Sequence, residues 1–136
     1  MITLWQGSAN TWDCDEMGHM NVRPYVEKAM EGIGRFAHEI ALPGAFQENA
    51  ASTLVPRRQH IRYMREVLPG RPLSMQGCVI DWGDDWVELY QEMRHGDGMP
   101  AAAIRTRLCH AEVRSAKPFP WTARTRERIA ALKAAP

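Results

Sequence analysis

The chain has 136 residues, of which 45% are hydrophobic, so it can bury one core of ordinary size but not two. Its 17 Lys and Arg residues balance 16 Asp and Glu residues, and the net charge of +1 argues against a nucleic-acid partner. Since no stretch approaches the roughly 20 apolar residues of a membrane-spanning helix, and no charged and then apolar signal pattern opens the chain, we expect a cytoplasmic single-domain protein without a membrane partner.

The first predicted element is a strand over residues 2–12, where apolar residues alternate imperfectly and give both faces some apolar character. A short turn follows it with the sequence Asp13-Cys14-Asp15-Glu16-Met17-Gly18-His19-Met20-Asn21. Two carboxylates, a thiol, an imidazole and an amide are thus concentrated just before the next element. The turn is therefore the candidate site of the chemistry.

From Val22 the apolar residues recur in steps of three and four, which predicts an amphipathic helix over residues 22–42. Lys28 falls on its polar face. Asn21 is a suitable N-cap, and Pro24 is tolerated in the first turn. Because Pro24 has no N–H, the amide of Val22 or Arg23 is left without an acceptor at the positive end of the helix dipole. An oxyanion can be that acceptor, and such a donor typically lowers a barrier by about 3 kcal/mol.

Gly32 and Gly34 lie inside this helix, where each costs about 1 kcal/mol in helix propensity relative to Ala. Close approach of the helix backbone to a sheet would explain them. Tolerance of glycine on an exposed helix surface would explain them equally well, and the sequence leaves both explanations open.

A carboxylate just upstream of an oxyanion donor is typical of acyl transfer to water. Asp15 or Asp13 can attack a carbonyl, or deprotonate the water that does, while the start of the helix holds the negative charge. The alternative is structural, since Asp and Asn are common before helices because their side chains bind backbone N–H groups. Spacing alone supports the two interpretations equally.

Three cysteines at wide spacing, Cys14, Cys78 and Cys109, argue against a disulfide framework or a zinc ribbon. Cys14 lies in the turn, but the like charges of Asp13 and Asp15 disfavour its thiolate and make a nucleophilic role the weaker interpretation. The histidines show no ligand spacing, so we expect no metal site.

Four further strands are predicted after the helix, over residues 52–67, 73–82, 86–95 and 102–115. Short connections with turn residues join them, as is typical of antiparallel neighbours. One long central helix wrapped by an antiparallel sheet of about five strands is an α+β fold. We assign residues 1–117 to this domain, and residues 118–136 to a C-terminal extension with a short helix that belongs to the same domain.

The chain resembles hotdog-fold acyl-CoA thioesterases of the 4-hydroxybenzoyl-CoA thioesterase type in the motif Asp13-Cys14-Asp15-x-x-Gly18-His19-Met20-Asn21-x-x-x-Tyr25. Its Gly-His-Met-Asn run also resembles the betainyl-CoA thioesterases of that superfamily. A second similarity, to the second strand and turn of the hotdog fold, lies in Tyr63-x-Arg65-Glu66-Val67-Leu68-Pro69-Gly70. The resemblance covers most of the chain, and it implies a hotdog fold and hydrolysis of an acyl-CoA to a free carboxylic acid and CoA.

The resemblance also implies roles for single residues. The second Asp of the pair, Asp15, would be the nucleophile or general base, and the backbone N–H of Val22 would donate to the thioester oxygen. This agrees with the argument from Pro24. The remaining substrate-binding candidates of the motif, among which His19 and Asn21 have no uniform catalytic assignment in the family, are Asp13, Gly18, His19, Asn21 and Tyr25.

Hotdog enzymes form dimers with the active site across the subunit interface, so the resemblance implies a homodimer or homotetramer. It implies no cofactor other than the coenzyme A that is part of the substrate. The predicted strand after the helix is unusually basic, and because Arg binds phosphate bidentately we expect it to contact the phosphates of coenzyme A. A solvated strand face is the alternative interpretation. The arginines concerned are Arg57, Arg58, Arg62 and Arg65.

Two other functions are compatible with the same residues. One is a non-hydrolytic acyl-CoA-binding hotdog protein, for which the basic strand would matter and Asp15 would not. The other is a hotdog hydratase or dehydratase, which also pairs an acidic residue with a histidine. The spacing of Asp15 and His19 differs from the motif of those enzymes.

Overall fold

The computed structural model describes residues 1–134 of the chain. The described residues form one antiparallel sheet of five strands in the order β1-β3-β4-β5-β2. The two strands that flank the long helix in sequence are therefore the two edges of the sheet. The strands are β1 Ile2–Ser8, β2 Ser52–Tyr63, β3 Pro72–Trp82, β4 Trp86–His95 and β5 Pro100–Glu112.

Two α-helices and one short 3-10 helix complete the described fold. The long helix α1 spans Val22–Glu39, the C-terminal helix α2 spans Ala123–Leu132, and the 3-10 helix spans Thr11–Asp13. The α+β class predicted from the sequence, one long helix against an antiparallel sheet of five strands, is confirmed. None of the helices in residues 1–134 has the length and the apolar character needed to cross a membrane.

The apolar face of α1 packs on the sheet in two clusters. Ile33 and Phe36 of its C-terminal half, with Ile40 directly after the helix, are buried against residues of all five strands, including Leu89 and Leu108. Its N-terminal half contributes to a second cluster, which lies beneath the candidate turn and contains Tyr25, Ala29, Met75, Met93 and Ile104. The start of α1 is thus fixed on a packed base, and the candidate site is built on that start.

Several elements end earlier than predicted. β1 stops at Ser8 because the chain turns into the 3-10 helix, and α1 stops at Glu39, shortly before Ala41 takes a positive φ of 63°. β2 stops at Tyr63, beyond which the amides of Met64 and Arg65 both donate to the carbonyl of Ala101.

The C-terminal segment is anchored to the same core. Trp121 and Ile129 are buried in the cluster that holds the C-terminal half of α1, and Trp121 Nε1 donates to the carbonyl of Gly83 at 2.7 Å. The predicted short helix is present as α2, and its apolar stripe faces inward.

Candidate active site

The turn between β1 and α1 is closed by its own backbone hydrogen bonds. Cys14 and Met20 form an isolated antiparallel bridge, and inside it the Asp15 amide donates to the carbonyl of His19 at 2.9 Å. The Gly18 amide donates to the carbonyl of Asp15 at 3.0 Å, and Gly18 has a φ of 80°, which costs glycine little. The predicted pocket residue Gly18 therefore shapes the turn.

The carboxylate of Asp15 is exposed, and hydrogen bonds to one of its two oxygens fix its orientation. Its Oδ1 atom accepts the amide of Met17 at 2.9 Å and the amide of His19 at 3.4 Å. Within residues 1–134, no hydrogen bond to Oδ2 is formed. One oxygen thus holds the side chain in place while the other remains available for a reaction.

The amide of Val22 lies at the start of α1. Asn21 has the extended backbone of an N-cap, but its side chain makes no capping hydrogen bond. The first amides of an α-helix have no acceptor inside the helix, and no other described residue accepts from Val22. The sequence argument from Pro24 expected one unpaired donor here, and the missing cap strengthens it.

A cavity of about 400 Å³ lies beside these groups. It brings together six of the residues named from the sequence, namely Asp15, His19, Asn21, Val22, Tyr25 and Arg65. Its other lining residues are Met20 from the turn and Tyr63, Met64 and Glu66 from the end of β2 and the segment after it. Sequence reasoning did not propose the last three as site residues, although Tyr63 and Glu66 belong to the second resembling motif.

Two contacts join the walls of this cavity. Tyr25 packs edge-on against Tyr63, with ring centroids 5.0 Å apart and planes at 83°. Burial, with smaller contributions from Tyr63 and nearby acidic groups, raises the pKa of Tyr25 to about 12, so its hydroxyl stays neutral at physiological pH. His19 Nε2 lies 3.2 Å from Glu66 Oε2 and links the turn to the segment after β2.

Asp13 has a different position from the one expected of a substrate-binding residue. It is buried and does not line the cavity, because its Oδ2 atom accepts Lys28 Nζ at 3.0 Å and the amide of Asn10 at 2.9 Å. Burial acts to raise the pKa of Asp13, but the hydrogen bonds from Asn10 and Lys28 and the charge of Lys28 outweigh it and lower the pKa. The prediction that Lys28 lies on the solvated face of the helix is wrong.

Three of the four predicted arginines lie apart from the cavity. Ile61 packs into the core and Tyr63 contacts the helix, so the alternating residues Arg58 and Arg62 point to the other face of the sheet. Arg58 lines a separate cavity of about 300 Å³, and Arg57 is exposed next to a break in the β2–β5 register. Contact of these three with coenzyme A stays a prediction.

Cys14 is partly buried in the turn. Burial raises the pKa of its thiol, and the charges of Asp13 and Asp15 raise it further. This agrees with the expectation that its thiolate is disfavoured. In the part of the chain that the structure describes, no three His, Cys, Asp or Glu side chains converge as a metal site would require.

A protein-family model described as the thioesterase-like superfamily matches residues 9–129. No curated protein matches the sequence. Among solved structures, a hypothetical protein from Staphylococcus aureus in complex with CoA superposes with a TM-score of 0.87 at 18% identity, over 99% of this chain and 89% of that chain. The match therefore extends across almost the whole of both chains.

Two further solved structures show the same fold. A thioesterase from Thermus thermophilus, complexed with coenzyme A and Zn, has a TM-score of 0.80 at 20% identity, over 98% of this chain and 96% of that chain. A DHNA-CoA thioesterase from Staphylococcus aureus has a TM-score of 0.84 at 14% identity, over 96% and 91% respectively. The predicted hotdog fold is confirmed, and because the family model matches most of its length, the chain belongs to the thioesterase-like superfamily.

Proposed function

We propose that this protein hydrolyses acyl-CoA thioesters, with Asp15 as nucleophile or general base and the amide of Val22 as the oxyanion donor. The observation that carries the proposal is that one cavity is lined by Asp15, whose carboxylate has one unengaged oxygen, and by Val22, whose helix amide is unpaired. The class of reaction, thioester hydrolysis, follows from membership of the thioesterase-like superfamily.

The geometry supports a simple sequence of steps. A thioester carbonyl in the cavity receives the Asp15 carboxylate or a water molecule that Asp15 deprotonates, and negative charge develops on the carbonyl oxygen. The Val22 N–H, at the positive end of α1, stabilises that charge. The C–S bond then breaks and CoA leaves as a thiolate, which needs no strong general acid. Direct attack gives an anhydride that water hydrolyses, and both routes end in the free acid.

The hydrogen bonds to Asp15 suit either route. Because two backbone amides hold Oδ1, the carboxylate does not have to be oriented anew when substrate binds. Oδ2 is then the atom assigned to the reaction.

Coenzyme A as the thiol carrier is supported by the CoA complexes of two structural neighbours. We assign the acyl group to the apolar side of the cavity, formed by Met20, Tyr25, Tyr63 and Met64, and a phosphate contact to Arg65. A second copy of the chain, in a homodimer or homotetramer, would complete the site. The mechanism needs no cofactor beyond the coenzyme A of the substrate.

The test is an Asp15→Asn variant assayed on a panel of acyl-CoAs by release of free thiol. We expect turnover to fall by about 1000-fold or more while binding of CoA is retained, since the lost group acts in the transition state. Glu16→Gln, which removes the neighbouring charge in the same turn, is the matched control and should retain activity. Unchanged hydrolysis in Asp15→Asn would contradict the proposal.

A His19→Ala variant distinguishes a catalytic role of Asp15 from a catalytic role of His19. The Asp15 carboxylate accepts the backbone amide of His19, which this variant retains, while the imidazole is engaged with Glu66. We therefore expect a loss of about tenfold or less, far below that of Asp15→Asn. If His19→Ala abolishes activity and Asp15→Asn does not, the acid–base role belongs to His19.

A further inference from the structure

We propose that Asp13 and Lys28 form a positioning pair, whose buried contact holds the reactive turn on α1 so that Asp15 and the Val22 amide face the same cavity. The inference rests on the proposed function. It replaces the substrate-binding role expected of Asp13 with one exerted through Asp15.

The first observation is the contact itself. Lys28 Nζ lies 3.0 Å from Asp13 Oδ2, and the two side chains are only 9% and 8% exposed. Asp13 lies two positions before Asp15, and Lys28 lies in the second turn of α1. The pair therefore joins the base of the reactive turn to the helix whose first residue is Val22.

The second observation is that Asp13 also holds the other end of the turn. Its backbone carbonyl accepts the amide of Asn21, the N-cap of α1, at 2.9 Å. Its carboxylate accepts the amide of Asn10, which precedes the 3-10 helix. One residue thus connects the chain before the turn, the start of the helix and, through Lys28, the body of the helix.

The third observation is the choice of charged groups at a buried position. Burying two ions costs free energy that a well-packed apolar pair of similar volume would not cost, so stability alone does not explain the pair. A charge-assisted hydrogen bond is directional, whereas apolar side chains can slide past one another. Lys28 Nζ also lies 5.3 Å from the ring centroid of Trp5 on β1, which further restricts its position.

The consequence concerns the distance between Asp15 and the Val22 amide. Asp15 belongs to the turn and Val22 to the helix, so their relative placement changes if the turn shifts on the helix. A misplacement of about 1 Å can lower a rate by about 100-fold. Loss of the pair should therefore lower kcat more than it weakens substrate binding.

The decisive variant is Asp13→Leu/Lys28→Met, which removes both charges and leaves neither unpaired. Because no buried charge is orphaned and only the part-buried amide of Asn10 loses its acceptor, we expect a folded protein with a Tm within a few degrees of that of the wild type. We also expect kcat for acyl-CoA hydrolysis to fall by about 10- to 100-fold, with KM within about twofold. A merely structural role would leave kcat of this folded variant unchanged.

Two further variants complete the experiment. Lys28→Arg keeps a cation opposite Asp13 and should retain more of kcat than Lys28→Met. Glu27→Gln, which removes an exposed partner of Arg23 on the same helix, is the control and should match the wild type. Wild-type kcat in Asp13→Leu/Lys28→Met would overturn the positioning role. Normal hydrolysis in Asp15→Asn would instead overturn the proposed function.

Discussion

The side-chain amide of Gln91 occupies the space in which residue 32 would carry a β-carbon. A Cβ built on Gly32 would lie 2.6 Å from Gln91 Nε2 and 3.0 Å from the sulfur of Met75. Gln91 is fully buried, and its Nε2 donates to the carbonyl of Ala29 at 3.0 Å. Close approach to the sheet therefore explains Gly32. It does not explain Gly34, which would meet no described atom within 4 Å.

We expect Gly32→Ala and Gly34→Ala to change stability in opposite directions. Gly34→Ala should raise the free energy of unfolding by up to about 1 kcal/mol, because Ala has the higher helix propensity. Gly32→Ala should lower it by about 1–2 kcal/mol, since displacing the buried Gln91 amide breaks its hydrogen bond to Ala29 and leaves its Nε2 donor without a partner. Urea denaturation of both variants measures the difference. Stabilisation by Gly32→Ala would contradict the close-packing explanation.

An arginine that binds the phosphates of coenzyme A can be identified by comparing a substrate with phosphates and a substrate without them. Arg65 lines the cavity of Asp15, so we expect Arg65→Ala to raise KM for an acyl-CoA about tenfold, the cost of one hydrogen bond to a charged group. The same variant should leave kcat/KM unchanged for the matching N-acetylcysteamine thioester, which carries no phosphate. Arg58→Ala is the comparison. A larger CoA-specific effect in Arg58→Ala would assign the phosphates to the opposite face of the sheet.

The junction of turn and helix could be predicted from the sequence because its parts are neighbours along the chain. Asp15, Asn21, Val22 and Pro24 lie within ten residues, and capping preferences act over that distance. The position of Lys28 could not be predicted in this way. Helical periodicity places it on the polar face, and only the packing of a residue 15 positions away explains its burial.

The wall formed by the end of β2 was predicted poorly for a different reason. Two-residue alternation places Met64 and Arg65 on opposite faces, yet both line the cavity. The strand ends at Tyr63, and both following amides donate to the carbonyl of Ala101, so alternation no longer applies there. Where a strand ends depends on its partner strand, which a pattern within one segment does not report.

His110 fastens the C-terminal segment to the sheet. On β5, its Nδ1 lies 2.6 Å from the carbonyl oxygen of Phe119 and its Nε2 lies 2.7 Å from Ser52 Oγ. Its ring stacks on Trp121, with centroids 4.7 Å apart. Burial lowers the pKa of His110, and the opposing effects of the Phe119 carbonyl and of Asp85 are smaller. The neutral imidazole is therefore the form that the folded protein prefers.

Stability should consequently depend on pH through His110. Because its pKa is lower in the folded than in the unfolded chain, the unfolded chain binds the proton first as pH falls below about 6.5, and the free energy of unfolding decreases. We expect the wild type to lose more stability between about pH 7.5 and 5.5 than His110→Gln, by up to about 1.4 kcal/mol per unit of pKa difference. Urea denaturation across this range measures how steeply the free energy of unfolding depends on pH in both proteins.

Burial also lowers the pKa of His95, so His110→Gln should keep part of the wild-type dependence of stability on pH. His60→Gln, at an exposed histidine of β2, is the control and should show the full wild-type dependence of stability on pH. Equal dependence in the wild type and His110→Gln would show that His110 does not cause the loss of stability at low pH.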